Sequence, residues 1–457
     1  MKIIRTFHPI GQGAFYSESF HYNKKKINII YDCGSLTSID EIKNEIELSF
    51  PENTVIDAVF ISHFDTDHVN AIPFLINRCN VKNIFFPLIS EEDKILLKIK
   101  AILEETVNVF AINFIENPKH TIVNLINLKD NNIPRLIAVQ AINDETQENN
   151  EQYDHVIPSG IDVSDIISSD LKNLKWEFIP HNFKQKERIK EFRELKQYKD
   201  LLKEVPDYSL ENLSSYLQNS KDSKDKISEL REAYKNISGN LNSNSMTLFS
   251  GAISENLPNH SVVNSRITLT NIRANNNVCS SPFEDFRLKN RRLKNHRLKN
   301  RRLKNHRLKN HRLKNRRLKN RRLKNRRLEN LHLKNLYKSK LNDYHSQFYY
   351  FSFKRNSGCL YTGDYDASKE EHFCSLKEKY NKYWEYIQYF QVPHHGSKNN
   401  FNEKFVDFNK IYIVSAGSKN QYKHPHNEVI REILIKNAHL FIVTEVSKSV
   451  VSCLIEF

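Results

Sequence analysis

The segment that most constrains this chain is Ser62-His63-Phe64-Asp65-Thr66-Asp67-His68, which follows directly on the apolar residues Ile56, Ala58, Val59, Phe60 and Ile61. An apolar run of that length reads as a buried strand, so the segment is the loop at its end. Four side chains able to ligate a metal, His63, Asp65, Asp67 and His68, fall within six positions. Carboxylate oxygens and imidazole nitrogens suit Zn²⁺, Mn²⁺ or iron at about 2.0–2.2 Å. Short side chains on one loop can converge on a point, whereas a loop of ordinary caps does not need that density.

Three further clusters stand in the same relation to an apolar run. Asp32 follows 27–31, in Tyr31-Asp32-Cys33-Gly34; Asp364 follows 359–362, in Tyr361-Thr362-Gly363-Asp364; and Pro393-His394-His395-Gly396-Ser397 follows Gln391-Val392. Taken singly, a strand-end Asp is an ordinary turn residue and a His pair before Gly an ordinary structural feature. Four such clusters point instead to one edge of an α/β sandwich, where strand ends build a site.

Along the rest of the chain, alternation of apolar runs and charged periodic segments predicts helices over 38–49, 69–77, 89–105, 369–389 and 427–437. It predicts strands over 55–62, 83–87, 107–115, 245–250, 347–353, 411–415, 440–444 and 450–457. Between 183 and 238, the stretches 186–205 and 210–237 are dense in Lys, Glu and Leu at helical spacing and read as a solvated helical insertion.

The formal charge of +16 over 457 residues is misleading as a guide to function. Residues 287–335 hold 14 Arg, 9 Lys and 1 Glu, a net of +22, so the remainder of the chain is at −6. In this tract ten leucines, Leu288 to Leu333, recur every five residues in the unit Arg-Leu-Lys-Asn-Arg/His. On a helix successive leucines then turn by about 140° and form no stripe. On a strand they alternate faces. A pentapeptide solenoid needs a small residue two before the central Leu, where Arg or His stands here. The tract reads as a low-complexity insertion; as a polycation it could contact nucleic-acid phosphates without base preference, or an acidic partner.

Six scattered cysteines without a Cys-x-x-Cys pair fit a reducing compartment. With no apolar run of signal or membrane-spanning length, the expectation is a cytoplasmic protein without a membrane partner.

The order Asp-Cys-Gly, His-x-Asp-x-Asp-His, Thr-Gly-Asp, Pro-His-His-Gly-Ser resembles the metallo-β-lactamase fold superfamily, and more narrowly the hydrolase domain of bacterial DNA-internalisation competence proteins and its free-standing relatives. Also similar are Gly11-Gln12-Gly13, the run Asn242-Ser243-Asn244-Ser245-Met246-Thr247-Leu248, and the late Ser415, Asn420, Tyr422, His424 and Pro425. The resemblance covers roughly 1–90, 241–250 and 348–457. It implies an α/β four-layer αββα sandwich interrupted by two insertions. The core's first half would be 1–135, followed by a mostly helical insertion at 136–240 and a core strand at 241–255. A low-complexity insertion at 256–346 would carry the repeat, and 347–457 would be the second half.

The resemblance further implies two divalent ions, Zn²⁺ first and Mn²⁺ second. His63 and Asp65 would hold one, and Asp67 and His68 the other. Asp364 would bridge them, His394 or His395 would complete the second site, and Asp32 would orient the ligands from behind. Asp65 departs from the commoner superfamily pattern, which has His there, but matches the competence-type subgroup. The superfamily's separate third-motif histidine has His181 as its one weak counterpart. Asp67 would also accept a hydrogen bond from the nucleophile, and His424, Ser397 and Asn420 would contact a phosphoryl oxygen. The expected activity is metal-dependent hydrolysis of a phosphodiester, in nucleic acid or a small phosphoester. Two other readings stay open: hydrolysis of another ester, such as a phosphocholine ester or thioester, and a non-catalytic binding module with a relic metal site.

Overall fold

The computed structural model describes residues 1–103, 108–126, 133–142, 152–184, 190–191, 193–204, 229, 232, 244–253, 264–269, 349–351 and 356–456. These belong to one unit formed by 1–270 and 349–457. The pentad repeat at 287–335 lies outside the described residues, as does the expected helical stretch 210–237 except for Glu229 and Glu232.

The chain opens with an antiparallel meander of β1 (Lys2–Phe7), β2 (Gly13–Tyr22) and β3 (Lys25–Ser35). Asn23 and Lys24 turn between β2 and β3 with φ of 47° and 64°, the left-handed pair whose twist matches that of the strands it joins. β4 (Val55–Ile56) and β6 (Asn80–Val81) form a small parallel ladder of their own. β5 (Ala58–Phe60), β7 (Asn83–Pro87), β8 (Arg135–Val139) and β9 (His155–Ile157) continue the first sheet from β3, all parallel. β10 (Trp176–Lys184) and β11 (Asn244–Ala252) begin a second sheet as an antiparallel pair. β12 (Asn264–Leu269) and β13 (Tyr349–Phe351) return to the first. β14 (Gly358–Tyr361), β15 (Ile387–Gln391), β16 (Ile411–Ser415) and β17 (His439–Val443) complete the second sheet in parallel. β18 (Val451–Glu456) closes the first sheet between β12 and β1.

The described residues thus form a mixed α/β fold, with sheets of ten, six and two strands. The two large sheets face each other. Tyr31 of β3 donates its hydroxyl hydrogen to the Met246 carbonyl of β11 at 2.7 Å, and Tyr361 of β14 stacks on Tyr31 at 5.0 Å and Tyr16 at 5.9 Å. On the opposite side of the first sheet, Ile30, Val59, Ile84 and Phe86 join one apolar cluster with Val69 and with residues of four further helices. These are α1 (Ile39–Ser49), α3 (Ile72–Arg78), α5 (Val109–Glu116) and α6 (Pro118–Leu125). Against the second sheet, Phe373 of the helix Glu370–Lys379 meets Trp384 and Phe405, and both of these touch Phe390 of β15. Among the described residues no helix is long and apolar enough to cross a membrane.

This topology positions the site. β3 and β5 are parallel, as are β14, β15 and β16, so the loops after each set leave from one edge. The two edges meet at the turn Thr362-Gly363-Asp364: Gly363 has φ 53°, and a Cβ there would lie 2.7 Å from Cβ of Ser62. Glycine is the residue that tolerates both conditions.

Several expected elements differ. The strand expected over 107–115 is a helix from its first described residue: Asn108 caps α5 by accepting from Ala111 N, and Ala111, Ile112, Phe114 and Ile115 bury one helical face. The helix expected over 369–389 stops at Lys379, and β15 already starts at Ile387, so the strand before the histidine pair is five residues long rather than Gln391-Val392. Tyr380, wholly buried and bonded through its hydroxyl to Thr247 and Ile179 O, ends that helix by tying the chain to β10 and β11. Residues 136–240 are not mostly helical where described: β8, β9 and β10 are core strands. β10 was hidden by Pro180 in its centre, which is tolerated because β10 is an edge strand. Residues 264–269, expected within a low-complexity insertion, pair with β18. The expected strand over 55–62 divides at Asp57, whose carboxylate accepts from Asn28 N and Lys82.

Candidate metal centre

Asp32 owes its place to a bulge. Phe15 of β2 faces Cys33 and Tyr16 faces Tyr31, so Asp32 is the extra residue on β3, with φ 55°. A bulge re-aims a side chain at a strand end. The wholly buried carboxylate accepts from Ser62 N and Ser62 Oγ, each at 2.7 Å, and from His68 Nδ1 at 2.8 Å.

Asp67 and His68 ride on the single turn α2 (Thr66–Val69), which Asp65 immediately precedes. This turn is pinned to the end of β3: Ala71 N donates to Cys33 O, and Ser35 N to Asn70 Oδ1. Gly34 makes the approach possible, since a Cβ there would meet the backbone of Asp67 and His68 at 2.6 Å. Gly34→Ala must push this turn off β3. The expected result is a loss of about 1–3 kcal/mol, the usual cost of overpacking, together with weaker metal retention. Urea unfolding and metal content measure the two, and a variant unchanged in both would refute the packing argument.

Each histidine Nδ1 faces a group that dictates its role. The Asp32 carboxylate only accepts, so His68 Nδ1 carries the hydrogen. His395 Nδ1 donates to Ser415 O at 2.8 Å, and His394 Nδ1 to Asn400 Oδ1 at 3.0 Å. His63 Nδ1 lies 2.8 Å from Ser62 Oγ, which itself donates to Asp32. All four Nε2 atoms are thereby turned inward. His63 Nε2 lies 3.5 Å, His68 Nε2 3.3 Å and His394 Nε2 3.7 Å from Asp364 oxygens, and His395 Nε2 is 3.0 Å from Asp67 Oδ2. His394 and His395 hold this geometry with φ of 47° and 54°, left-handed values that cost non-glycine residues roughly 1–3 kcal/mol each and gather at functional sites.

Electrostatics follow the geometry. Burial alone would raise the Asp364 carboxyl, but His394, His63 and His68 hold it well below the usual range. Asp67 is likewise lowered against burial by the His395 hydrogen bond and by His68. Burial disfavours charge on His68, yet Asp32 and Asp364 raise it well above an ordinary imidazole. His424 is pushed down to about 3 by burial and then by His395, His394 and His426.

The donor set fits a divalent cation. His63 Nε2 and His68 Nε2 are buried and make no hydrogen bond, and two groups have atoms within 4.8 Å of one another: His63, His68 and Asp364, and Asp67, His68 and His395. Imidazole nitrogen with carboxylate oxygen suits Zn²⁺ or Mn²⁺.

The other expected residues fall differently. Asp65 belongs to neither group; both its oxygens accept from Lys100 Nζ, at 2.7 and 2.8 Å. Lys100, on the helix α4 (Glu91–Leu103), was not foreseen, because α4 buries lysines at 94, 98 and 100 and its charge pattern does not single one out. Asn420 does not face the cluster as a donor: its amide bonds Gly417 O and His424 O and accepts from His424 N, so it shapes the loop that carries His424. The His424 ring lies 5.5 Å from His394 and 6.2 Å from His395. Ser397 is buried in the turn after the histidine pair. His181 lies on β10 with its ring edge-on to Tyr380 and its pKa lowered to about 4 by burial and then by Lys379; it joins neither group. Asn400, which fixes His394, also lay outside the expected set.

No family model matches the chain, and no curated protein matches it.

Proposed function

We propose that this chain is a metal-dependent hydrolase of the metallo-β-lactamase fold that cleaves a phosphodiester, in a nucleic acid or a smaller ester. The observation that carries the reading is the convergence of four Nε2 atoms on Asp364 and Asp67, with every Nδ1 anchored from behind. Two sheets packed face to face, with helices against them and the cluster at the parallel strand ends, support the fold assignment that the motif order implies. A divalent cation in such a site polarises a phosphoryl oxygen and lowers the pKa of a water to about 7.

The chain's own residues divide the remaining work. Asp67 orients the attacking water by accepting its hydrogen bond. Asp32 holds Ser62 and His68 in register, and such outer partners are worth 10–100-fold in affinity or activity, roughly. His424 stays neutral near pH 7 and has a buried Nδ1 without a hydrogen-bond partner, so it can donate to a phosphoryl oxygen without adding charge. Asn420 positions it.

The test is cleavage of bis-p-nitrophenyl phosphate and of single-stranded DNA, with Mn²⁺, Zn²⁺ or chelator, by wild type and Asp67→Ala. Metal-dependent turnover that falls more than about 100-fold in the variant is expected, since removing a ligand costs more than removing an outer partner. Equal rates in the two proteins would sink the proposal.

A further inference from the structure

Beyond the last pair of the parallel ladder between β14 and β15, Leu360 with Phe390, a side chain takes over the pairing. Gln391 ends β15, is 3% exposed and stands in an otherwise apolar run, Tyr389-Phe390-Gln391-Val392. Burying an amide costs free energy unless its polar atoms are bonded. Gln391 Oε1 accepts from Thr362 N at 2.7 Å and Gly363 N at 2.8 Å, and Nε2 donates to Val392 O at 2.8 Å. Flipping the amide would set donors against those two N–H groups, so its orientation follows from its neighbours.

A second buried amide grips the same turn from the other end. Asn400 donates through Nδ2 to Asp364 O at 3.1 Å and accepts through Oδ1 from His394 Nδ1 at 3.0 Å. Between the two amides, His394 N donates to Gly363 O at 3.0 Å. The backbone of Thr362, Gly363 and Asp364 is thus tied at four points to the strand end and loop that carry the histidine pair. Asp364 shares its ligand group with His63 and His68, which come from the first sheet. How far its carboxylate reaches across to them is set by this turn.

We propose that Gln391 and Asn400 form an amide clamp that sets the reach of Asp364 into the metal centre, so that metal affinity depends on two side chains whose polar atoms are committed to the chain itself. The inference rests on the metal-centre reading above. Both are positioning residues, acting through Asp364 and the histidine pair, and their effect is read in metal affinity and ligand geometry rather than in rate.

The stripped full-length protein is titrated with Zn²⁺ and Co²⁺ by calorimetry. The visible bands of bound Co²⁺, which report ligand geometry, are read beside urea unfolding of the metal-free protein. Gln391→Met keeps the length of the side chain and loses its bonds to the turn. Its Kd is expected to rise about 10–100-fold, the effect of losing an outer partner, with displaced Co²⁺ bands. Tyr412→Phe is the comparison: it removes a buried hydroxyl bonded to Asp407 N and Phe405 O, outside the clamp, and is expected to lose stability while Kd and bands stay as in wild type. If Gln391→Met keeps the wild-type Kd and bands, or if Tyr412→Phe shifts them as far, the clamp is overturned and the hydrolase reading stands. If wild type binds neither cation, the metal centre and the inference fall together. Should Gln391→Met fail to fold, Asn400→Asp decides. It keeps an acceptor for His394 but sets an oxygen where Asn400 donates to Asp364 O, so Kd is expected to rise about 10-fold; unchanged or tighter binding overturns the clamp.

Discussion

Asp364→Ala is expected to empty the centre. Its carboxylate is 4% exposed and faces three imidazoles, His63, His68 and His394, at 3.3–3.7 Å. Among the described residues no other acid pairs with all three. Without it the three Nε2 atoms face one another across a gap, and Asp67 is the one carboxylate left in the two ligand groups. Metal content should fall below one ion per ten chains at micromolar free metal. Phosphodiester cleavage should drop more than about 100-fold, at least about 2.7 kcal/mol of transition-state stabilisation. The metal-free fold should change in a specific sense. His68 is raised by Asp32 and Asp364; losing Asp364 removes part of that support, so His68 should release its proton at a lower pH in the variant. A group whose folded pKa is raised stabilises below its unfolded pKa and loses that contribution as pH climbs through the folded value. The stripped variant should therefore be less stable than stripped wild type near pH 5, with the gap closing above the wild-type His68 pKa. Nuclear magnetic resonance titration of His68 and urea melts across pH report this. A variant that retains both metal and turnover would show that Asp364 is not the centre of the cluster.

The contrast between Asp364 and Lys100 shows what a sequence discloses about such a site. Asp364, His63, Asp67, His68 and the 394/395 pair were legible because each follows an apolar strand, and parallel strands bring their ends together without further information. Asp32 was legible as a strand-end acid, but its aim depends on a bulge set by pairing with Phe15 and Tyr16, which no local pattern in 27–35 encodes. Asn420 was misjudged for a related reason: an amide that can bind a ligand can equally close its own loop, and only the neighbours decide. Lys100 was invisible because a buried lysine on a charged amphipathic helix looks like a solvated one until its partner, 35 positions away, is placed. The same limit hid β8 and β10. Their pairing is non-local, and β10 carries an interior proline that edge placement alone permits.

The largest expected loss of stability lies away from the chemistry, at Arg5. This arginine of β1 is wholly buried, and burial opposes its charge, but Glu18 on β2 sustains it. Arg5 Nε donates to Glu18 Oε1 at 2.8 Å, and its two terminal nitrogens donate to Ser357 O and Ser250 O at 3.0 and 3.2 Å. Glu18 in turn accepts from Ser250 Oγ and Tyr361 Oη, while the guanidinium lies 5.1 Å from the centre of the Tyr389 ring. The ion pair, both members on the first sheet, thus reaches into the second through Ser250 and Tyr361, and each sheet carries part of the cluster: Asp32 on, and His63 and Asp67 after, strands of the first, Asp364 and His395 after strands of the second. Arg5→Met fills much of the volume but leaves a buried carboxylate without its counter-charge, which costs about 3–5 kcal/mol. Adding Glu18→Gln removes that charge and keeps an acceptor for Ser250 and Tyr361, so the double variant should be more stable than Arg5→Met alone, by at least about 1 kcal/mol on the same principle that paired replacement is far cheaper than one-sided removal. Urea midpoints of the two single variants and the double measure the coupling. If the double variant is as unstable as the sum of the singles, the penalty comes from lost packing of Arg5 against Trp176 and Tyr389 rather than from a stranded charge.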